Sequence, residues 1–372
     1  MEIKNLFKKI DICLILLMVI LASIGLLAIN SATAYAGDTT NIRNQIMYFI
    51  VGFVVMFIVM SIDYHVLSTW YGFIYVGIIL MLIAVKLFGV SANGATRWLN
   101  IGPVQIQPSE FAKIGMILCG ATIINKYNTR LNKIWPLLII GIFEFIPFIL
   151  VNRQPNLSTS IVLLVIMVIQ LFMSKLNLKY IFMGATVGAI LVIVVFVYIV
   201  NNPDQSIIQD YQRERIMGLV TGGDSNDDKF QTNRAVQAIG SGGLYGKGMN
   251  QGSISQLNYL PESHNDFIMA VVGEEFGFVG VLTVIGVLLL FIFRGLWIAR
   301  GAPDELGRFI VIGYFGMIAM QSFVNMGVVT DFLPNTGIPI PFISYGGSSL
   351  WANMMGLGLV LNVAMRSEKK MF

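Results

Sequence analysis

Charge is scarce in this chain: only 12% of its 372 residues are Asp, Glu, Lys or Arg, against roughly 25% in an average soluble domain. So few charges cannot cover the surface of a conventional soluble globule, and that class is excluded. Cysteine is scarcer still. Cys13 and Cys119 both stand inside apolar runs, which excludes a disulfide framework or a zinc spacing and leaves two lone thiols that pack as small hydrophobes. A small-residue cleavage pattern is missing after the first apolar run, so the helix behind Lys4, Lys8 and Lys9 is expected to be retained rather than removed as a signal peptide. No internal repeat and no inverted pair of halves is detectable, which weighs against a transporter.

What the chain has instead is apolar length. Hydrophobic residues make up 56% of it, and stretches long enough to cross about 30 Å of hydrocarbon recur along nearly the whole sequence. Runs and their punctuation predict an all-α polytopic membrane protein of about ten transmembrane helices, near 11–30, 44–62, 70–88, 109–125, 135–151, 158–174, 178–200, 265–293, 308–330 and 345–365. Residues 1–372 read as a single integral-membrane domain. The eighth run is long enough to tilt.

The net charge of +4 matters less than its distribution, and no nucleic-acid partner is expected from it. Lys126, Arg130, Lys133, Lys175, Lys179, Arg294, Arg300, Arg308, Arg366, Lys369 and Lys370 fall on the same side as the N-terminal lysines. The opposite short loops carry only Arg43, Arg97 and Arg153. Positively charged short loops stay in the cytoplasm, so both termini are expected there. Three connections then lie outside: 89–108, the large extracellular loop 201–264 between the seventh and eighth helices, and 331–344. In the long loop, QDYQRERI, with Arg213 and Arg215, reads as a short amphipathic interfacial helix and TGGDSNDDK as a turn-rich stretch.

Polar residues gather at three places on the outer side. In NGATRWLNIGPVQIQPSEFAKIG, residues 93–115, Pro108 suits a first helical turn, and Glu110 and Lys113 share one face three residues apart. A charged pair at the membrane's edge is expensive unless paired or wetted, which suggests a cavity wall; a capping carboxylate with a snorkelling lysine is the plain alternative. Arg97 and Trp98 just upstream suit phosphate or sugar. In NYLPESHNDFIMAVVGEEFGFVG, residues 258–280, Glu262, His264 and Asp266 crowd the start of the eighth span. A carboxylate at Asp266 suits a general base or a ligand for a divalent cation, Mg or Mn, and equally a helix cap. Glu274 and Glu275 stand deeper and need a partner or water.

The third place is LPNTGIPIPFISYGGSSL, residues 333–350, where prolines and glycines interrupt apolar sequence. Irregular backbone at membrane depth is tolerated only under protein or beside a wet cavity, so a re-entrant segment is expected, with Ser344, Gly346 and Gly347 offered to a ligand or packed into a capped loop. Glu144 lies alone in mid-span near Pro147, a functional candidate by default with no partner evident from sequence.

These constellations, in this order, resemble the RodA/FtsW (SEDS) family of peptidoglycan glycosyltransferases, including its SpoVE-like members, over essentially the whole chain. RWLNIGPVQIQPSEFAK resembles the family's RW…QPSE..K start of the fourth span, LPESHNDFI its LPE.HTDFI segment, AIGSGGLYGKG at 238–248 its glycine loop, and GIPIPFISYGGSSL its signature before the last span. The resemblance implies a ten-span fold without a soluble domain in the bacterial cytoplasmic membrane. It also implies polymerisation of lipid II, the undecaprenyl-pyrophosphate-linked disaccharide-pentapeptide, and a class B penicillin-binding protein as partner beside other elongation or division proteins. By the same resemblance Asp266 is the essential loop aspartate, and Glu110 and Lys113 are the paired cavity charges. The chain departs from the family at Asn156, where QPDLGT is usual, and at Asn265, where threonine is usual.

The chemistry fits such a substrate. A sugar hydroxyl must lose a proton as it attacks an anomeric carbon, a role for Asp266, and a pyrophosphate must leave with negative charge, which Arg97, Lys113, Arg213, Arg215 or a divalent cation would stabilise. No organic cofactor is called for. A lipid II flippase and a non-catalytic scaffold of the division or elongation machinery are the competing readings.

Overall fold

The computed structural model describes residues 9–34, 39–92, 95–102, 104–154, 156–202, 226–256, 260 and 263–367. The elements in order are α1 (Ile12–Ala34), α2 (Thr40–Ser61), short α3 (Tyr64–Thr69), α4 (Tyr71–Phe88), strands β1 (Val90–Ala92), β2 (Ala95–Ile101) and β3 (Val104–Ile106), α5 (Pro108–Tyr127), α6 (Ile134–Asn152), α7 (Leu157–Phe172), α8 (Leu178–Asn201), α9 (Asn226–Gly242), α10 (Ser253–Gln256), α11 (Ile268–Arg300), α12 (Glu305–Val329) and α13 (Gly347–Arg366).

Each expected span coincides with a helix. Eight of these, α1, α2, α4, α6, α8, α11, α12 and α13, are long and apolar enough to cross a membrane. The other two fall short of that measure for physical reasons: α5, 20 residues long, opens on Ser109, Glu110 and Lys113, and α7 has 16 residues. The protein is a multi-pass α-helical membrane protein.

Burial sorts the helices into an inner and an outer set. α5, α12 and α13 are buried along most of their length and pack on one another. α2, α4, α6 and α8 turn apolar side chains such as Phe57, Phe73, Phe145 and Phe182 outward. In water such faces would aggregate; against lipid tails they are the expected solvent-facing surface.

The long eighth run does not simply tilt. α11 breaks at Gly277, whose backbone (φ 65°, ψ −163°) is closed to residues with a side chain. A break strands backbone groups that the bilayer cannot satisfy. The glycine loop after α9 satisfies them: Phe278 and Val279 donate to the carbonyls of Gly243 and Leu244 at 2.9 and 3.1 Å, and Lys247 and Gly248 donate back to those of Glu274 and Glu275 at 3.0 Å each. The loop and α1 answer the two deep acids. Lys247 Nζ pairs with Glu274 Oε1 at 2.7 Å, helped by the Ile254 amide at 2.9 Å, and Ser31 of α1 donates to Glu275.

Within the outer connection 89–108 the chain forms a small antiparallel sheet in the order β1–β2–β3, with Leu99 opposite Ile106 and Ile101 opposite Val104. One local expectation needs correcting. In the stretch read as turns, Asn226 onward already forms α9, while 221–225 and QDYQRERI lie outside the described residues.

The bundle has two polar ends. The small sheet, the turn at 263–267 and the segment 331–346 meet where α5, α11 and α13 begin. Asp63, His65, Asp304 and Arg366 meet at the other end, where α12 begins and α13 stops.

Candidate active site

Glu110 and Lys113 sit on the first turns of α5, three residues apart and so on one face. Lys113 Nζ donates to Glu110 Oε2 at 2.8 Å with both side chains almost wholly buried. Buried charges need this pairing; either one alone would carry a large desolvation cost. The pair forms one wall of a small enclosed cavity of about 30 Å³, also lined by Arg97, Gln107, Asn156, Thr159, Gln321 and Gly337. That space holds roughly one or two waters and no sugar ring.

Each lining residue arrives by its own local logic. Strand β2 carries Arg97 to the cavity, which Trp98 does not line; Val90 stands opposite Trp98 and Ser91 opposite Thr96, so Arg97 is the extra residue of a bulge that re-aims its side chain. Asn156 caps α7, its Oδ1 accepting from the Thr159 amide at 3.2 Å, while its Nδ2 donates to Ser109 Oγ at 3.4 Å. The amide thus does two jobs, of which an aspartate would keep only the cap. Ser158 Oγ donates to the Thr336 carbonyl at 2.6 Å, tying the same helix start to the 331–346 segment.

Asp266 reaches the rim of this cavity through Gly337. A Cβ built on Gly337, whose φ is +64°, would stand 3.3 Å from Asp266 Oδ2, and Gly337 itself lines the cavity. The carboxylate and the charged pair therefore belong to one neighbourhood, separated by the Gly337–Pro339 strip. Asn325 of α12 fixes that strip, its Nδ2 donating to the carbonyls of both Asp266 and Ile338 at 2.8 Å.

The segment before α13 is irregular and covered by protein, as expected: Ile338, Ile340, Phe342 and Ile343 are all buried. Phe342 adopts φ 65°, unusual for a bulky residue, and is held there against Phe291 at 5.6 Å between ring centroids. Ser344 Oγ accepts from the Ile340 amide at 3.0 Å. Gln45 of α2 brackets the Ser344 carbonyl and the Gly346 amide at 3.3 and 3.2 Å, and the Tyr48 ring lies against Gly347. His264 stacks edge-on to Tyr345 at 5.4 Å, and its carbonyl accepts from the Tyr345 amide at 2.9 Å. These residues form a layer beside the cavity. Arg213, Arg215 and Glu262 lie outside the described residues.

Among the described residues no three of His, Cys, Asp or Glu converge as metal ligands. Among the described residues, with Glu110 held by Lys113, Asp266 does not complete a seat for Mg or Mn, and no chemical step is routed through a metal. Gln321 and Asn325 were not anticipated from sequence. They stand four residues apart on one face of α12, and a pair of amides at helical spacing inside an apolar span is the signal that would have found them.

The class defined by this fold and site is a multi-pass membrane protein with a buried, charge-lined polar cavity at one end of its bundle. Within that class, the family model for FtsW, RodA and SpoVE, described as cell cycle protein, matches residues 11–369, and the chain belongs to that family. It is 35% identical to the peptidoglycan glycosyltransferase MrdB of Escherichia coli (strain K12) over 97% of this chain and 95% of that protein. It is 33% identical to stage V sporulation protein E of Bacillus subtilis (strain 168) over 96% and 98%. Among solved structures, a chain of a peptidoglycan synthase complex that coordinates polymerisation and crosslinking superposes with a TM-score of 0.81 at 28% identity, covering 95% of this chain and 97% of that one. The rod shape determining protein RodA of Thermus thermophilus superposes with a TM-score of 0.70 at 27% identity, covering 95% and 96%.

Proposed function

We propose that the protein is a peptidoglycan glycosyltransferase that polymerises lipid II into glycan strands at the outer face of the bacterial cytoplasmic membrane, with Asp266 as general base. The observation that carries the reading is the cavity in which Arg97, Glu110, Lys113, Asn156 and Gln321 converge at one end of the bundle, with the Asp266 carboxylate against Gly337 at its rim. Family membership and the glycosyltransferase activity named for the relatives support the substrate class.

In this mechanism the 4-hydroxyl of the incoming disaccharide attacks the anomeric carbon of the growing strand. Its proton passes to Asp266 as the bond to the pyrophosphate breaks, and the lipid pyrophosphate leaves with the electron pair. One displacement inverts the anomeric centre, in keeping with a β-linked product, so no covalent enzyme intermediate is required. Arg97 and Lys113 supply positive charge toward the leaving group; Arg213 and Arg215, outside the described residues, are the further candidates for that role. The closed cavity is too small for the sugar, so the substrate approaches from the rim.

The partner is a class B penicillin-binding protein, which would crosslink the strand; the synthase complex among the structural relatives supports that pairing. Purified protein with lipid II, and no other polymerase, should form glycan chains, and Asp266→Asn should abolish them while leaving the melting temperature unchanged. A flippase would move lipid II across vesicles without forming strands. A scaffold would do neither.

A further inference from the structure

Glu144 of α6 is 1% exposed, and neither of its carboxyl oxygens has a hydrogen-bond partner among the described residues. Gln170 of α7, also fully buried, stands nearby. Its Nε2 donates to two main-chain carbonyls, Ile117 of α5 at 2.8 Å and Phe309 of α12 at 3.3 Å. Two acceptors on that side settle which end of the amide is nitrogen, so Oε1 turns the other way. It too is buried with no partner among the described residues.

The two orphan groups meet over Gly120 of α5. Gln170 Oε1 and Glu144 Oε1 lie 2.7 and 2.9 Å from the place a Gly120 Cβ would occupy. Two acceptors thus face one another across the gap left by a missing side chain. The titratable groups that sense Glu144 are Tyr75 of α4 and Cys119 of α5, and neither offers it a proton: the Tyr75 hydroxyl donates to the Phe143 carbonyl at 2.8 Å and the Cys119 thiol to that of Tyr71 at 3.4 Å. Acceptor facing acceptor in a dry interior is repulsive unless something positive lies between.

We propose that Glu144, Gln170 and Gly120 form an intramembrane proton-binding site, in which the Glu144 carboxyl is a neutral acid donating its hydrogen to Gln170 Oε1. The two Glu144 oxygens and Gln170 Oε1 are too few for a desolvated hard cation, which takes about six oxygens. A single hydrogen suffices, and it links α6 through Gln170 to α5 and α12. Gly120 follows Lys113 by seven residues on the same helix, about two turns, so the site underlies the cavity wall. The acid keeps that wall free of net charge while giving it a polar tie.

Infrared spectroscopy of the full-length protein in lipid vesicles at neutral pH, with carboxyl-labelled glutamate, tests this independently of activity. A protonated-carboxyl band should shift with the label, disappear in Glu144→Gln, and persist at a changed frequency in Gln170→Leu, which removes the acceptor. Glu144→Gln should keep the wild-type melting temperature, because its amide donates the same bond without charge. Absence of a label-sensitive band in the wild type, its survival in Glu144→Gln, or failure of Glu144→Gln to fold would each overturn the proposal.

Discussion

The side-chain amide of Asn325 holds the backbone of Asp266, donating to its carbonyl at 2.8 Å while the same nitrogen donates to Ile338 at 2.8 Å. One buried nitrogen therefore sets the distance between the turn that carries the carboxylate and the strip that borders the cavity. Asn325 does not reach a substrate atom, so it is a positioning residue for Asp266.

Asn325→Leu should leave two carbonyls without a donor, at about 1–3 kcal/mol each in a dry interior. Displacement of the carboxylate should lower turnover by about 10²-fold with little change in KM for lipid II. Steady-state polymerisation and thermal unfolding of the same preparation separate the two effects. A variant that loses stability but keeps kcat would remove Asn325 from the positioning role.

Glu110 and Lys113 make a buried pair, and breaking it from one side strands a charge. Glu110→Ala and Lys113→Ala should each destabilise by about 3–5 kcal/mol. The double replacement Glu110→Ala with Lys113→Ala removes both charges and should cost less than the two single changes together. Thermal melting of the four proteins completes the cycle, and strict additivity would mean the pair is not energetically coupled.

The spans were legible because apolar length is a local property, and the Glu110–Lys113 pair because spacing on a helix is too. Other features depend on partners distant in sequence. The break at Gly277 looks like any glycine in an apolar run until the Gly243–Gly248 loop, supplied from the other side of α10, is seen to satisfy it. Arg97 and Trp98 were read as one binding unit because a guanidinium beside an aromatic ring suits phosphate or sugar; only Arg97, at the bulge in β2, lines the cavity. Asp266 was legible as a candidate base from its place at the start of a span, but not its nearness to the cavity, which runs through Gly337, some seventy residues later in the chain. Gln321 and Asn325 carried a signal in their helical spacing inside a span, but which backbone Asn325 holds depends on acceptors far along the chain.

Asn156 tests how far the family's usual aspartate can be exchanged. Asn156→Asp keeps the acceptor for the Thr159 amide and loses the donor to Ser109, so polymerisation should persist with a stability change within about 1 kcal/mol. Asn156→Leu removes the cap as well and should cost about 1–2 kcal/mol, with activity falling in parallel. Loss of activity in Asn156→Asp at unchanged stability would assign the Ser109 contact to the reaction itself.

At the end of the bundle opposite the cavity, His65 bridges two acids, with Nδ1 2.9 Å from Asp63 and Nε2 2.6 Å from Asp304. Burial disfavours its charged form, but hydrogen bonds to the two carboxylates outweigh it and raise the pKa above the ordinary 6.5. Burial likewise works against a charged Asp63, and the bonds from His65 and Arg366 win, lowering its pKa below 3.8. A raised histidine contributes its full stability below about 6.5 and loses it as pH climbs through the folded-state value. A lowered aspartate contributes above about 3.8 and loses that as pH falls through its own folded-state value. The melting temperature should therefore decline from pH 6 toward pH 9, and the decline should be shallower in His65→Gln, by an amount matching about 0.5 kcal/mol for a half-exposed ion pair. The bridge joins the α2–α4 connection to the start of α12, so its loss should loosen that end first, read as faster amide hydrogen exchange in 62–70 and 301–306 at alkaline pH. An identical pH slope in His65→Gln would show that another group carries it.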